Sequence, residues 1–349
     1  MISNWPQISI EGRPIGPGRP VAVVAELGVN HNGDPALAHS LLRAAKEAGA
    51  DAAKLQLFVP EELALPEADL CEYQRDRGAR DQRELLRSLA LDSEAVKGLV
   101  QEAESLDLPL FASVFDEKSL RQALDFGFSV LKFGSGELTC LPLHRRAASA
   151  GKPVILSCGM ATDQEIEPVV ELYRQARVQF MLLHCVTAYP APEEQLNLRS
   201  ISYLAERFAC PVGFSDHTKR SRAACLAVAC GAVLIEKHLT LDRTLPGPDH
   251  KASLEPEEFA AFINEVRKAE TALGRWGKFV APAEQEARRK VRKSIVLRRA
   301  LSAGDRIKLG DLAFLRPATG ISPLEVDRVL GRAVKRDLPS GHILTWDDL

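Results

Sequence analysis

The strongest constraint on the fold is a pattern that recurs eight times: an apolar run that ends in a polar residue and is followed by an amphipathic segment. The apolar runs cover residues 21–28, 52–58, 108–115, 130–136, 153–159, 178–186, 212–218 and 233–240. Runs of this kind are typical of parallel strands that are buried on both faces. Eight strand–helix units joined by right-handed crossovers predict an α/β fold, a closed (β/α)8 barrel.

Polar residues at the ends of the runs favour the barrel over the alternative, a doubly wound sheet, which seldom has a polar residue at the end of every strand. In a barrel these C-terminal strand ends converge on one mouth, where catalytic residues lie. The residues concerned are Glu26, Lys54, Gln56, Ser113, Lys132, Ser135, Glu137, Ser157, Thr187, Tyr189, Ser215, His217 and His238. We therefore expect them to surround one site.

Two histidines, His217 and His238, end consecutive runs. Parallel strands in one βαβ unit bring their C-terminal ends to the same side, so the imidazoles are expected to lie close together. Two neutral imidazoles can hold a divalent cation and leave positions open for a substrate. A single histidine at a strand end is more often a hydrogen-bonded structural residue, but two in register favour a metal site.

Two lysines, Lys54 and Lys132, lie inside apolar strands, where an unpaired ammonium group is costly. Together with the serines at neighbouring strand ends, they are suited to binding a phosphorylated or carboxylated anion. Either lysine alone could instead extend its charged end to solvent or form a structural ion pair.

Composition excludes several classes of function. The formal net charge is -2 with 26% charged and 46% hydrophobic residues, which gives no electrostatic case for binding nucleic acid or a membrane surface. No apolar run approaches the roughly 20 residues that span a bilayer, and the N-terminus lacks the features of a signal peptide. Seven cysteines without a CxxC motif predict reduced, mostly packing thiols of a cytoplasmic protein.

The remaining segments suggest a two-domain chain, with the barrel at 1–278, a basic linker at 279–293 and a small β-rich domain at 294–349. Residues 1–20 are expected to contribute a strand over the barrel bottom, and residues 59–91 to form a long functional loop with short helices. The C-terminal strands are predicted near residues 295–297, 303–307, 312–317, 334–338 and 343–345. A domain of this size has a marginal core, so we expect it to pack on something.

Six segments together resemble the sialic acid synthase family, in particular its bacterial N-acetylneuraminate synthase branch. They are AELGVNHNG at 25–33, LLHCVTAYP at 182–190, GFSDHT at 213–218, IEKHLTLD at 235–242, GPDH at 247–250 and RPATGISP at 316–323. The resemblance extends over nearly the whole chain from about residue 20.

The resemblance implies a TIM barrel followed by an antifreeze-like SAF domain of the β-clip type. It implies condensation of phosphoenolpyruvate with N-acetylmannosamine, an N-acylated hexosamine, to give N-acetylneuraminate and phosphate. It further implies a divalent cation (Mn²⁺, Mg²⁺ or Co²⁺) and a domain-swapped homodimer.

The matched positions assign roles to individual residues. His217 and His238 match the metal ligands, and Arg316 matches an arginine that reaches the partner subunit's sugar site. The positions that match the surroundings of phosphoenolpyruvate are Lys54, Ser113, Lys132, Ser135, Ser157 and Ser215, and those around the sugar are Glu26, Glu137, Tyr189 and Asp249. Glu26, Lys54, Lys132 and Glu137 are the predicted catalytic residues, and Gln56 and Thr187 are expected to bind substrate.

Thr187 departs from the pattern, because N-acetylneuraminate synthases often have Asn there. Synthases of legionaminic or pseudaminic acid have small hydroxyl residues at this position, so a 2,4-diacetamido-trideoxyhexose remains an alternative substrate. A Schiff-base aldolase is disfavoured, since it needs no pair of metal-binding histidines. A degenerate barrel that binds sugars, and a metal-dependent aldolase or isomerase without phosphoenolpyruvate, remain as alternatives of other classes.

Overall fold

The computed structural model describes residues 7–71, 74 and 78–349. The chain forms two compact units, one ending at Gly274 and the other comprising Arg275–Leu349. The segment predicted as a linker, residues 279–293, falls in the second unit and contains a short helix.

The first unit is a closed barrel of eight parallel strands preceded by a two-stranded hairpin, β1 and β2. Strand β10 pairs with β3 and closes the barrel. The strands are β1 Ile8–Ile10, β2 Arg13–Ile15, β3 Ala22–Gly28, β4 Ala52–Leu57, β5 Leu110–Val114, β6 Leu131–Phe133, β7 Val154–Ser157, β8 Phe180–Cys185, β9 Val212–Asp216 and β10 Leu234–His238. The predicted (β/α)8 barrel is confirmed.

Helices connect the strands, and several begin where the sequence places a capping residue. Asp34 accepts a hydrogen bond from Ala36 N, with Pro35 at the first helical position. The helices of this unit are α1 Pro35–Glu47, α2 Pro60–Leu63, α3 Gln82–Leu89, α4 Ser93–Ser105, α5 Glu117–Asp125, α6 Leu141–Ala150, α7 Asp163–Gln175, α8 Arg199–Phe208, α9 Arg222–Ala229 and α10 Pro256–Leu273. Short 3₁₀ helices cover Glu193–Gln195 and His250–Ala252.

The lower, N-terminal end of the barrel is filled by the β1–β2 hairpin. Ile8, Ile10 and Ile15 are buried in one cluster with residues from the beginnings of the barrel strands, among them Phe111 and Met181. Glu11 N donates a hydrogen bond to Ser129 Oγ (2.9 Å), just before β6. The sequence predicts one strand here, and the structure has two because residues 11 and 12 form a tight turn.

At the upper end, the loop after β4 contains the short helices α2 and α3, as expected for residues 59–91. The predicted loop includes residues 72–73 and 75–77, which lie outside the described part. Within that part, α3 carries apolar side chains toward the barrel. We call the apolar group at the mouth the apolar roof; its members are Val29, Leu63, Leu85, Leu86, Leu89 and Phe115.

The C-terminal unit has its own core, which includes Ile295, Leu301, Ile307 and Leu344. Its elements are α11 Gln285–Val291, β11 Ser294–Leu297, β12 Leu312–Leu315 and α12 Val326–Val329, with 3₁₀ helices at Pro282–Glu284, Leu309–Asp311, Pro323–Glu325 and Trp346–Asp348. Strands β11 and β12 pair antiparallel.

Three of the short strands predicted in the C-terminal unit are wrong. Residues 303–307, 334–338 and 343–345 form only isolated bridges, at Arg306–Ala333, Leu301–Leu338 and Val296–Ile343. Gly304 adopts a φ of 92° in a turn, and the chain reverses again within a few residues. Pairing therefore ends before a ladder can extend.

Among the described residues, no helix is both long enough and apolar enough to cross a membrane.

Candidate active site in the barrel mouth

A cavity of about 360 Å³ lies at the C-terminal ends of the barrel strands. Every residue predicted for the site lines it except Arg316, which is an exposed residue of the C-terminal unit. Small-molecule sites typically enclose roughly 300–1,000 Å³, so the size suits small substrates.

Strand alternation and register explain how these side chains meet. His238 on β10 lies beside Glu26 on β3, and Glu26 in turn lies beside Lys54 on β4. Ser113 on β5 is the register partner of both Gln56 and Lys132. Since alternate residues of a strand face the interior, each of these strands presents its polar side chains to the same cavity.

The cavity has a charged floor, formed by Glu26, Lys54, Lys132 and Glu236. Lys54 forms an ion pair with Glu26, and its Nζ lies 3.6 Å from Glu236 Oε2. The Lys132 Nζ lies 3.6 Å from Glu236 Oε1. All four side chains are buried. Each ammonium group lies close to a carboxylate that balances its charge.

Glu236 bridges the two predicted lysines but is not among the residues predicted for the site. A signal was present, because Glu236 precedes His238 by two residues, just as Ser215 precedes His217. With a period of two, both Glu236 and Ser215 must face the interior with the histidines.

Burial and the two lysines set the protonation of the floor. Burial raises the pKa of Glu26, and the charge of Glu236 adds to this, although Lys54 opposes it. Burial alone would also raise the pKa of Glu236, but Lys132, Lys54 and the Ser215 hydroxyl lower it to about 2. Glu236 is therefore the permanent counterion, and Glu26 is the carboxyl group that holds a proton more readily.

Hydroxyl groups surround the floor, and two of them have no hydrogen-bond partner in the described part of the chain. Ser113 Oγ accepts from Lys54 Nζ (2.6 Å), and Ser215 Oγ donates to Glu236 Oε1 (2.9 Å). Ser157 Oγ and Thr187 Oγ1 are buried and have no hydrogen-bond partner among the described residues. Because buried polar groups are usually paired, these two hydroxyls are available to a ligand.

The loop after β7 packs closely against the cavity wall. Gly159 N donates to Ser135 Oγ (3.0 Å), and that hydroxyl lies 3.2 Å from Cys185 Sγ. A Cβ on Gly159 would come within 2.9 Å of Ser135 Oγ and within 2.8 Å of Cys185 Sγ, so glycine is required for this close approach. Cys158 and Cys185 are both buried, and burial raises the pKa of each thiol.

The two histidines lie side by side, with ring centroids 5.6 Å apart. His217 Nδ1 lies 2.8 Å from the carbonyl oxygen of Val186, which can only accept, so Nδ1 carries the proton, and the lone pair is on Nε2, which lies 3.3 Å from Ser215 Oγ. His238 Nδ1 is buried without a hydrogen-bond partner among the described residues and lies 3.5 Å from Asp249 Oδ2. Burial lowers the pKa of His217 to about 4 and that of His238 well below its usual range.

Both imidazoles are therefore neutral near pH 7, as metal ligands must be. No cluster of three or more His, Cys, Asp or Glu side chains in the described part is arranged to hold a metal ion. The pair supplies two nitrogen donors, one of them an unpartnered buried atom, and leaves the remaining coordination positions to substrate or water. This donor set is compatible with a divalent cation.

Two further carboxyl groups border the cavity. Burial raises the pKa of Glu137 to about 7, against the nearby charge of Lys132. Burial also raises the pKa of Asp249 to about 7, and Glu26 adds to the effect. The Tyr189 ring lies 4.2 Å from the His217 ring and 5.8 Å from the His238 ring, measured between centroids.

Hydrogen bonds that run from Asn30 through Ser253 hold the backbone of Asp249 in place. Asn30 Nδ2 donates to Ser253 Oγ (2.8 Å) and to the carbonyl oxygen of Leu239 (2.8 Å). Ser253 Oγ donates in turn to the carbonyl oxygen of Asp249 (2.7 Å). The loop after β3 thus supports the loop that carries Asp249.

Two known sequence families match this chain, one over the barrel and one over the C-terminal unit. The sequence profile of the NeuB family matches residues 41–278, and that of the SAF domain matches residues 292–349. The predicted resemblance to sialic acid synthases and the predicted C-terminal SAF domain are confirmed.

Individual relatives match over most of the chain. The N,N'-diacetyllegionaminic acid synthase of Legionella pneumophila is 40% identical, with 97% of each chain covered. The N-acetylneuraminate-9-phosphate synthase of Mus musculus is 32% identical over 93% of this chain and 91% of that protein.

A solved structure has the same architecture. The N-acetylneuraminic acid (sialic acid) synthetase of Leptospira borgpetersenii, in complex with citrate, is 33% identical with a TM-score of 0.72, covering 81% of this chain and 95% of that one. The expectation of an enzyme, rather than a degenerate binding protein, is confirmed by these relatives. The chain belongs to the NeuB family and has the family's barrel followed by an SAF domain.

Proposed function

We propose that the protein condenses phosphoenolpyruvate with the open-chain aldehyde of a 2,4-diacetamido-trideoxyhexose to give a legionaminic acid-type product and phosphate. The observation that carries the proposal is the two-sided cavity, with a charged floor below and the apolar roof above. The floor suits an anionic substrate. The roof suits the methyl groups of acetamido and 6-deoxy substituents better than the hydroxyl groups of N-acetylmannosamine.

N-acetylmannosamine, the substrate first expected from the sequence, is the second candidate. The mouse relative and the Leptospira structure, whose names refer to N-acetylneuraminate or its 9-phosphate, support it. The more similar Legionella relative is named for N,N'-diacetyllegionaminic acid and supports the first candidate, as does Thr187.

The charged floor binds the phosphate and carboxylate of phosphoenolpyruvate. Lys54 and Lys132 supply two positive charges against the fixed charge of Glu236, and Glu26 reduces the repulsion when it is protonated. The unpartnered hydroxyls of Ser157 and Thr187 donate to ligand oxygens. Fixed donors in a buried site stabilise developing charge without reorganisation.

The condensation forms one carbon–carbon bond, and water replaces phosphate at the neighbouring carbon, so one carbon–oxygen bond forms and another breaks. The terminal methylene carbon of phosphoenolpyruvate attacks the aldehyde carbon, and the aldehyde oxygen takes up a proton, for which Glu26 is the candidate donor. Water then adds to the neighbouring carbon, which bears the phosphate, and loses a proton, and the resulting tetrahedral carbon expels phosphate to leave a ketone. Glu137 and Asp249, with pKa values raised to about 7 by burial, are suited to exchanging these protons.

His217 and His238 would hold a divalent cation such as Mn²⁺, Mg²⁺ or Co²⁺. When bound, the cation supplies Lewis acidity that polarises the aldehyde oxygen. Tyr189, whose ring lies against both imidazoles, closes this side of the cavity.

A substrate panel tests the proposal by measuring phosphate release. The purified protein is incubated with phosphoenolpyruvate, Mn²⁺ and one of three sugars: a 2,4-diacetamido-trideoxyhexose, N-acetylmannosamine or N-acetylmannosamine 6-phosphate. We expect the highest kcat/KM with the diacetamido sugar. A preference for N-acetylmannosamine would favour the second candidate, and no release with any sugar would overturn the condensation.

The proposal includes a domain-swapped homodimer in which Arg316 completes the partner subunit's site, as the family resemblance implies. The test mixes inactive His217→Ala chains with inactive Arg316→Ala chains and allows subunits to exchange. If Arg316 acts across the dimer, each mixed dimer has one complete site, and about a quarter of the wild-type activity returns. No recovery despite proven exchange would contradict the arrangement.

A further inference from the structure

The outer faces of β9 and β10 carry a buried ion pair that faces away from the cavity. Asp216 lies between Ser215 and His217, and Lys237 lies between Glu236 and His238. Asp216 and Lys237 are also direct register partners in the sheet. Because side chains alternate along a strand, this outer-face ion pair lies behind the residues that the two strands present to the cavity.

The pair is completely enclosed. Lys237 Nζ lies 3.1 Å from Asp216 Oδ2, and both side chains are 0% exposed. The Phe262 ring of α10 lies 5.6 Å from Lys237 Nζ and covers it.

Stability alone does not account for two charges at this place. Removing a carboxylate and an ammonium group from water is costly, and replacing a buried ion pair with apolar residues is often neutral or stabilising by about 1–4 kcal/mol. The role of the pair is therefore better judged from the hydrogen bonds that it makes than from its contribution to stability.

Both members of the pair bind the backbone of the residue that follows His217. Asp216 Oδ1 accepts from Thr218 N (2.8 Å), and Lys237 Nζ donates to the carbonyl oxygen of Thr218. His217 thus lies between two residues that the pair fixes. Lys237 is itself adjacent to His238, so the pair links the backbones that carry the two imidazoles.

We propose that Asp216 and Lys237 are positioning residues that set the spacing of His217 and His238 and thereby the affinity for a divalent cation. The inference rests on the proposed metal-assisted function. The hydrogen bond from His217 Nδ1 to Val186 fixes the rotation of the ring. The outer-face ion pair fixes the backbone from which the ring extends.

The test replaces both charges together with Asp216→Asn/Lys237→Met, which keeps the side-chain volumes similar. Binding of Mn²⁺ to the full chain is measured without substrates, from the electron paramagnetic resonance signal of free Mn²⁺, and Tm is measured on the same samples. We expect a Tm close to that of the wild type and a Kd for Mn²⁺ raised by about tenfold or more, the usual range for residues that orient metal ligands. An unchanged Kd in the folded variant would overturn the proposal.

A matched control uses Asp51 and Arg267, an ion pair of the same unit that connects α10 with the beginning of β4 and lies away from the cavity. The variant Asp51→Asn/Arg267→Met is expected to lower Tm without altering the Kd for Mn²⁺. An equal change of Kd in this control would show a general effect of destabilisation and contradict the inference.

A second variant, Asp216→Glu, keeps the charge balance in case the double variant does not fold. The extra methylene moves the carboxylate away from Thr218 N, so a Kd raised by several-fold is expected, and an unchanged Kd would count against the proposal. Wild-type protein that releases phosphate but binds no Mn²⁺ would overturn this inference and leave the condensation intact. Weakened Mn²⁺ binding in the variants of a protein that releases phosphate from no sugar would support the inference and overturn the proposed function.

Discussion

Glu137 and Asp249 in the barrel mouth have an environment opposite to that of Asp348, a buried carboxyl group of the C-terminal unit. Asp348 in the C-terminal unit accepts hydrogen bonds from Arg336, His342 and Thr345, and these hold its pKa below the usual range although burial opposes them. In the barrel mouth, burial raises the pKa of Glu137 and Asp249 to about 7. The C-terminal unit uses a buried acid to fold, whereas the barrel mouth contains, beside the paired Glu236, two acids whose burial favours the protonated form and suits proton transfer.

The largest effect is expected from removing an imidazole in the barrel mouth. His217→Ala or His238→Ala should reduce kcat by at least about a hundredfold and weaken Mn²⁺ binding, because each removes one of two nitrogen donors. For His238→Ala the stability should change little, since His238 Nδ1 makes no hydrogen bond within the described structure, whereas His217→Ala also removes the hydrogen bond to Val186. Full activity of the wild type in EDTA would remove the metal from the mechanism.

The next largest effect is expected in the C-terminal unit. Asp348→Asn should destabilise this unit by about 3 kcal/mol at pH 7, because it removes charge-assisted hydrogen bonds from a buried acceptor. A carboxyl group whose pKa is lowered on folding stabilises above its unfolded pKa and loses that contribution as the pH falls. Urea unfolding at pH 7 and at low pH measures the difference, which should shrink in acid, and the exposed neighbour variant Asp347→Asn is the control.

Replacing a buried carboxyl group of the barrel mouth with an amide should have the opposite effect on stability. Glu137 has a folded-state pKa of about 7, raised by burial from 4.5, so its contribution to stability is present below the unfolded pKa and is lost as the pH rises through about 7. Glu137→Gln should therefore stabilise the barrel by about 2 kcal/mol at pH 8 and by little near pH 4, while lowering activity. A destabilised variant at pH 8 would show that the ionised carboxylate is well paired.

The smallest effect concerns substrate choice at the apolar roof. Leu86→Gln places an amide among apolar side chains that line the cavity. We expect the ratio of kcat/KM for the diacetamido sugar over N-acetylmannosamine to fall by several-fold, about 1 kcal/mol. Leu65→Gln, on the exposed surface of the same loop, should leave the ratio unchanged.

The sequence predicts the barrel and most of its site because one rule governs both. Apolar runs buried on two faces must form parallel strands, and the polar residue at each end must then face one mouth. Glu26, Lys54 and Lys132 follow this rule and do line the cavity. Glu236 also follows it, but it lies within the apolar run before a lysine and a histidine and so escapes a search for residues at strand ends.

Other features depend on contacts that no local pattern encodes. The role of the outer-face ion pair follows from the strand register that sets Lys237 opposite Asp216 and from its bonds to Thr218. The C-terminal unit folds through isolated bridges between turns, such as Leu301–Leu338, because each turn returns the chain before a strand can extend. Alternation over a few residues cannot distinguish such a bridge from a short strand.

The hairpin of β1 and β2 covers the end of the barrel opposite to the mouth. Its three isoleucines pack against the beginnings of the strands, and the cavity lies at the opposite end, where substrates enter through the mouth. The charged floor lies deeper than the roof, and an anion bound there is covered by whatever enters later. Phosphoenolpyruvate is therefore expected to enter first and the sugar second, a compulsory order that initial-rate and dead-end inhibition patterns would reveal.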